Sequence, residues 1–102
     1  MFEFYVAGVQ HHEIYKCLKE MGVGQYVVME PEPTNKYDLN AIRLEYSSPN
    51  VESVMIGYVP AKISADVSAM LEIGDNVSCR IIELNKDEKP WKQVKVAVEE
   101  VD

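Results

Sequence analysis

The residues best suited to chemistry lie in one proline-braced stretch, Glu32-Pro33-Thr34-Asn35-Lys36-Tyr37-Asp38-Leu39-Asn40. A carboxylate such as Asp38 is a strong acceptor for a hydroxyl and repels a phosphate. An aromatic ring such as Tyr37 stacks on any base without sequence preference. Two prolines restrict the paths open to the loop, which suits a preformed pocket. The same residue types also have a structural use. Asp38 and Asn40 bond readily to the backbone of their own turn, and Tyr37 suits the half-buried wall of a small barrel. A second cluster, Gln10-His11-His12, invites a metal reading. Adjacent histidines point in different directions, and no cysteine or third histidine stands nearby in sequence, so no metal is expected. Gly8 and Gly57 belong to no GxGxxG or GxxxxGK[ST] motif, which argues against dinucleotide or P-loop chemistry; they mark bulges or close backbone approach. No Ser/His/Asp or Cys/His order suggests a nucleophile. The expectation is a non-enzymatic protein without a cofactor.

The elements that hold these residues are short. Residues 2–8 alternate Phe2, Phe4 and Val6 against Glu3, Tyr5 and Ala7, the two-residue period of a strand. In Glu13–Met21, the residues Ile14, Cys17, Leu18 and Met21 fall at i, i+3, i+4 and i+7, which predicts a helix capped by Gly22. Strands are predicted over Gln25–Glu30, Asn40–Tyr46 and Val54–Val59, the last stopped by Pro60. Ile63, Val67, Met70 and Leu71 recur at helical spacing, with Ser64 as a cap and Gly74 as the stop. Strands over Asn76–Leu84 and Trp91–Val98 complete the order β-α-β-β-β-α-β-β, with Trp91 a barrel plug or an edge residue. The fold class is mainly β with two short helices, a small, partly closed, six-stranded antiparallel barrel with a helix at each end.

Composition bounds the rest. A chain of 102 residues suits one domain, 1–102. Hydrophobic residues at 47% and charged residues at 26% place it among folded globular chains. The net charge of -7 excludes a generally basic, phosphate-wrapping protein but leaves room for a local site for a nucleic-acid end. No apolar run approaches the ~18 residues of a membrane span. Met1–Val6 has no basic region of the kind that opens a signal peptide, so a cytoplasmic location without membrane contact is expected. Cys17 and Cys79 stand far apart and read as reduced core thiols. Glu99-Glu100-Val101-Asp102 reads as a solvated acidic tail.

The Tyr37-Asp38-Leu39-Asn40-Ala41-Ile42 block follows the proline loop directly, with Val6-Ala7-Gly8-Val9 upstream and Ile56-Gly57-Tyr58-Val59-Pro60 downstream. In this order, from about Phe4 to Val98, the chain resembles the HIRAN domain, a small barrel of some Snf-type DNA translocases that also occurs as stand-alone bacterial and phage proteins. The resemblance implies a six-stranded OB-like or SH3-like barrel that captures the free 3′ end of single-stranded DNA. It assigns Asp38 as acceptor of the terminal 3′-hydroxyl, Tyr37 as the frame of the end nucleotide and Tyr58 as a residue facing the backbone. The chain departs from the family pattern in two places. Gln10-His11 stands where an arginine-aromatic pair is expected, and Ala61 where a lysine is expected, with Lys62 next to it. Glutamine loses the charge that attracts phosphate, while histidine still stacks and, when protonated, meets a phosphate. The resemblance therefore implies weak, salt-sensitive DNA binding through Gln10, His11, Tyr37, Asp38, Tyr58 and Lys62. Such a module would guide a helicase or nuclease partner. The rival expectation, motivated by the acidic charge and the missing arginine, is a protein-interaction adaptor that keeps the fold without DNA binding. An incompletely closed barrel leaves strand edges for pairing, so either a monomer or an edge-paired homodimer is expected.

Overall fold

The computed structural model describes residues 1–74 and 76–101. Six strands, β1 (Phe2–Tyr5), β2 (Tyr26–Pro31), β3 (Ile42–Ser48), β4 (Val51–Tyr58), β5 (Val77–Leu84) and β6 (Val94–Glu100), form one antiparallel sheet with one helix, α1 (Ala61–Ile73), between β4 and β5. Their order in the sheet is β1-β6-β5-β2-β3-β4. Alternation places Ile42, Leu44 and Tyr46 of β3, Val54 and Ile56 of β4, and Val94, Val96 and Val98 of β6 in the core, with Arg43 and Glu45 on the outer face.

The sheet closes on itself just beyond β1. Ala7 pairs with Tyr58 at the end of β4: the Ala7 N–H donates to the Tyr58 carbonyl at 2.8 Å, and the Tyr58 N–H donates to the Ala7 carbonyl at 2.9 Å. Gly57 makes this approach possible. A Cβ there would lie 2.4 Å from the Ala7 carbonyl oxygen and 2.6 Å from Val6 Cγ1. The pairing of β3 with β4 also shifts register beside this glycine, since Leu44 faces Gly57 while Glu45 faces Met55. The expected bulge and the expected close approach therefore coincide.

Where the structure departs from the sequence reading, the departures are local. No α-helix forms over Glu13–Met21. Two 3₁₀ turns, Val9–His11 and Ile14–Lys16, and further turns take its place. Spacing of i, i+3 serves a 3₁₀ turn as well as an α-helix, and so short a helix is not held by its own hydrogen bonds. The segment is held instead by burial of Ile14, Cys17 and Met21 and by the Tyr46 hydroxyl, which donates to the Glu20 carbonyl at 2.8 Å. Ser64 is not a cap. The helix starts immediately after Pro60, and Ser64 lies inside the first turns, buried beside Val67. Gly74 closes the helix as expected, its N–H donating to the Met70 carbonyl at 2.8 Å. The last strand starts at Val94, because Pro90 pre-sets a 3₁₀ turn over Pro90–Lys92. Trp91 consequently stands exposed on that turn with the Lys89 ammonium 5.5 Å from its ring centre, and does not plug the barrel.

At the other end of that strand, Glu99 and Glu100 belong to β6 and are not a free tail; the Val101 N–H donates to the Asn76 carbonyl, and Asp102 lies outside the described residues. Cys17 and Cys79 are buried free thiols, and burial pushes the Cys79 thiol up to about 12. No helix among the described residues is long and apolar enough to cross a membrane.

Candidate functional site

Closure of the barrel brings four chain segments to one place. Ala7 and Gly8 follow β1, Tyr58 and Val59 end β4, Ala61 opens α1, and Asn35, Tyr37, Asp38 and Ala41 come from the loop between β2 and β3. Between them lies an open, largely apolar pocket of about 280 Å³. Gly8 leads the chain into the 3₁₀ turn Val9–His11 with φ 71°, a left-handed backbone that favours glycine.

Asn35 organises the loop. Its Oδ1 accepts the N–H groups of Tyr37 at 2.8 Å and Asp38 at 3.1 Å, and its Nδ2 donates to Glu32 Oε1 at 3.1 Å. The loop is closed at its base by the Glu32 N–H donating to the Ala41 carbonyl at 2.8 Å and the Ala41 N–H donating to the Asp38 carbonyl at 3.0 Å. Asp38 is held at both carboxylate oxygens. Oδ1 accepts the Asn40 N–H at 2.9 Å, and Oδ2 accepts the hydroxyl of Ser64 on α1 at 2.7 Å. Each oxygen has two lone-pair positions, so one acceptor position at each remains beyond these bonds.

The Tyr58 ring forms the opposite wall. Its hydroxyl donates to Glu32 Oε1 at 2.8 Å, and the His12 ring meets it edge to face, with ring centres 5.7 Å apart. Arg43, opposite Tyr58 in the sheet, reaches Glu32 at 3.5 Å and Glu45 at 2.6 Å. These contacts shift titrations in opposite senses. Hydrogen bonds from Asn35 and Tyr58, aided by Arg43, hold the Glu32 carboxyl below its usual range. Burial, with the bond to Glu32, raises the Tyr58 phenol. Burial, then the neighbouring charge of His11, lowers His12.

Of the residues singled out from sequence, Tyr37, Asp38 and Tyr58 line the same pocket. Tyr37 is 97% exposed, so it is no barrel wall. Gln10 and His11 are exposed on the turn after Gly8, and Lys62 is exposed beside Ala61; none of the three lines the pocket itself. The histidine that contacts Tyr58 is His12, not His11. Asn40 contributes its backbone N–H to the loop, whereas the side chain that organises the turn is that of Asn35. Sequence reasoning passed over Asn35, Glu32 and Ser64 as members of the site. The Pro-Thr-Asn order carries a turn signal for Asn35. Nothing local could reveal Ser64, whose partner lies 26 residues away in sequence.

The comparisons agree with this architecture. The HIRAN domain family model matches residues 1–100. A crystallised protein from Lactobacillus plantarum superposes with a TM-score of 0.74 at 20% identity, over 96% of this chain and 89% of that one. The HIRAN domain of human HLTF superposes with a TM-score of 0.59 at 14% identity, over 95% of this chain and 69% of that one. No curated protein matches the chain significantly.

Proposed function

The chain belongs to the HIRAN domain family, and on that premise we propose that it is a non-enzymatic nucleic-acid-binding module that takes the free 3′ end of single-stranded DNA. One observation carries the reading: an anchored carboxylate with free acceptor positions, Asp38, shares an open pocket with a fully exposed aromatic ring, Tyr37. Asp38 accepts the terminal hydroxyl and repels a terminal phosphate. Tyr37 stacks on the end base. Tyr58, its own hydroxyl committed to Glu32, offers a ring and no donor. Gln10, His11 and Lys62 meet the preceding phosphates from the exposed turns beside the pocket. With so few cations the binding is weak and falls as salt rises, and a helicase or nuclease chain supplies any catalysis at the captured end.

The test is fluorescence anisotropy at low salt with a 5′-labelled single strand carrying either a 3′-hydroxyl or a 3′-phosphate, with duplex as control. The parent protein prefers the free hydroxyl, and Asp38→Ala abolishes that preference. An equal response of the parent to both ends, or a preference unchanged in Asp38→Ala, would remove Asp38 from the role given to it. A second reading, a protein-interaction adaptor, is favoured by the capture of Arg43 between Glu32 and Glu45, which withdraws a cation from the neighbourhood of Tyr58. Folded protein that binds none of the three DNAs would make that reading the better one.

A further inference from the structure

Ser64 is a buried polar residue in the turn of α1 that abuts the pocket, with 1% of its surface exposed. Its hydroxyl carries one proton and faces two acceptors. One is the Ala61 carbonyl of its own helix at 3.0 Å, the default partner for a serine inside a helix. The other is Asp38 Oδ2, 26 residues away in sequence, at 2.7 Å. The shorter bond to an ionised acceptor is the stronger one. The remaining restraints on Asp38 are local: the Asn40 N–H at Oδ1, Asn35 Oδ1 at its backbone N–H, and the Ala41 N–H at its carbonyl. They shape the loop from within the segment 35–41. Among the bonds of the described residues, the Ser64 bond is the one that ties the carboxylate to α1.

We infer that Ser64 is a specificity-determining positioning residue, fixing the Asp38 carboxylate against α1 so that its free lone pairs face the pocket; the inference rests on the 3′-end reading above. The hydroxyl also occupies one acceptor position of Oδ2, so an incoming donor is confined to the positions that remain. A carboxylate fixed in advance does not have to be ordered when the strand binds, and selectivity between ends rises accordingly.

The experiment measures the ratio of affinities for 3′-hydroxyl and 3′-phosphate strands in the parent, Ser64→Ala, Asp38→Ala and the double variant. Ser64→Ala removes one oxygen and leaves a good helix former, so the fold is retained; circular dichroism melting checks this, and Ser64→Cys, a weaker donor of similar size, carries the test if Ser64→Ala does not fold. The expected result is a fall of roughly three- to tenfold in the ratio for Ser64→Ala, a smaller fall for Ser64→Cys, and no further effect of Ser64→Ala once Asp38 is alanine. A merely structural serine would change stability without moving the ratio. If the parent discriminates between ends and folded Ser64→Ala discriminates equally, the positioning role is overturned while the end-capture reading stands. If the parent shows no discrimination, that reading fails and takes this one with it.

Discussion

Gly57→Ala is the sharpest test of how the barrel is closed. The new Cβ would sit 2.4 Å from the Ala7 carbonyl oxygen and 2.6 Å from Val6 Cγ1. The Val6 methyl belongs to a buried core side chain, and the carbonyl is the acceptor for the Tyr58 N–H at 2.9 Å. Neither neighbour yields without loss. Overpacking of a filled site costs about 1–3 kcal/mol, and losing the two closing hydrogen bonds adds about 1 kcal/mol each. The sum, about 3–5 kcal/mol before the backbone strain that φ 153° at Gly57 adds for alanine, corresponds to a fall in Tm of at least roughly 12 °C in a domain of this size. Gly24→Ala is the control. Gly24 has φ 95° with nothing within 4 Å of the added Cβ, so it feels the backbone strain without the collision. That strain costs about 1–2 kcal/mol. Calorimetric melts of the three proteins give the numbers, and amide hydrogen exchange reports the Ala7 and Tyr58 N–H groups directly. Because Ala7 and Tyr58 also wall the pocket, oligonucleotide binding falls with closure. A Gly57→Ala protein melting within about 2 °C of the parent, with both amides still protected, would refute the argument that this close approach closes the barrel.

Two further outcomes separate binding from stability. Tyr37→Ala leaves Tm nearly unchanged, because the ring is 97% exposed, but weakens single-strand binding by about five- to a hundredfold, the range of one base-aromatic stack; anisotropy and melting on the same sample measure both, and an unaltered Kd would take the ring out of the site. Glu32 makes the network acid-sensitive. Its folded pKa lies below the ordinary 4.5, so its contribution to stability is complete above that value and is lost as the pH falls through the lowered folded pKa. Urea titrations at stepped acidic pH therefore give a shallower acid limb for Glu32→Gln than for the parent, and identical slopes would show that Glu32 is not coupled to folding.

Strand identity was legible wherever one face of a strand is buried. Ile42, Leu44 and Tyr46 alternate with Arg43 and Glu45, and a slip of one residue would turn the whole set outward. Strand ends were less legible, since the hairpin of β3 and β4 runs on through Ser48 and Val51 and turns only at Pro49-Asn50. The segment Glu13–Met21 shows why periodicity names a buried face more surely than a backbone. Ile14, Cys17 and Met21 are all inside, as their spacing requires, yet the chain reaches that arrangement through 3₁₀ and other turns. At the site, the residues contiguous in sequence, Tyr37 and Asp38, were legible as a unit. Their supports were not, because Glu32 acts through Tyr58 and Asp38 acts through Ser64, each pair 26 residues apart and brought together by the pairing of β3 with β2 and β4.

Charge decides where the binding energy of such a pocket must come from. Of ten Lys and Arg residues, Lys16, Arg43, Arg80 and Lys95 are drawn into ion pairs with carboxylates. Beside the pocket the exposed cations are Lys36, next to Tyr37, and Lys62, next to Ala61. Counterion release grows with the number of phosphates neutralised, so two such contacts supply little of the affinity that a basic groove would give. The net charge of -7 opposes the approach of a long strand as a whole. What the pocket offers is local: an exposed ring, a carboxylate fixed at two oxygens, and walls set by the Ala7–Tyr58 pair. On the end-capture reading, each of these acts on the terminal nucleotide and none along the strand. On the end-capture reading, then, the loss of the arginine weakens holding of the strand more than recognition of its end, and selectivity outlasts affinity.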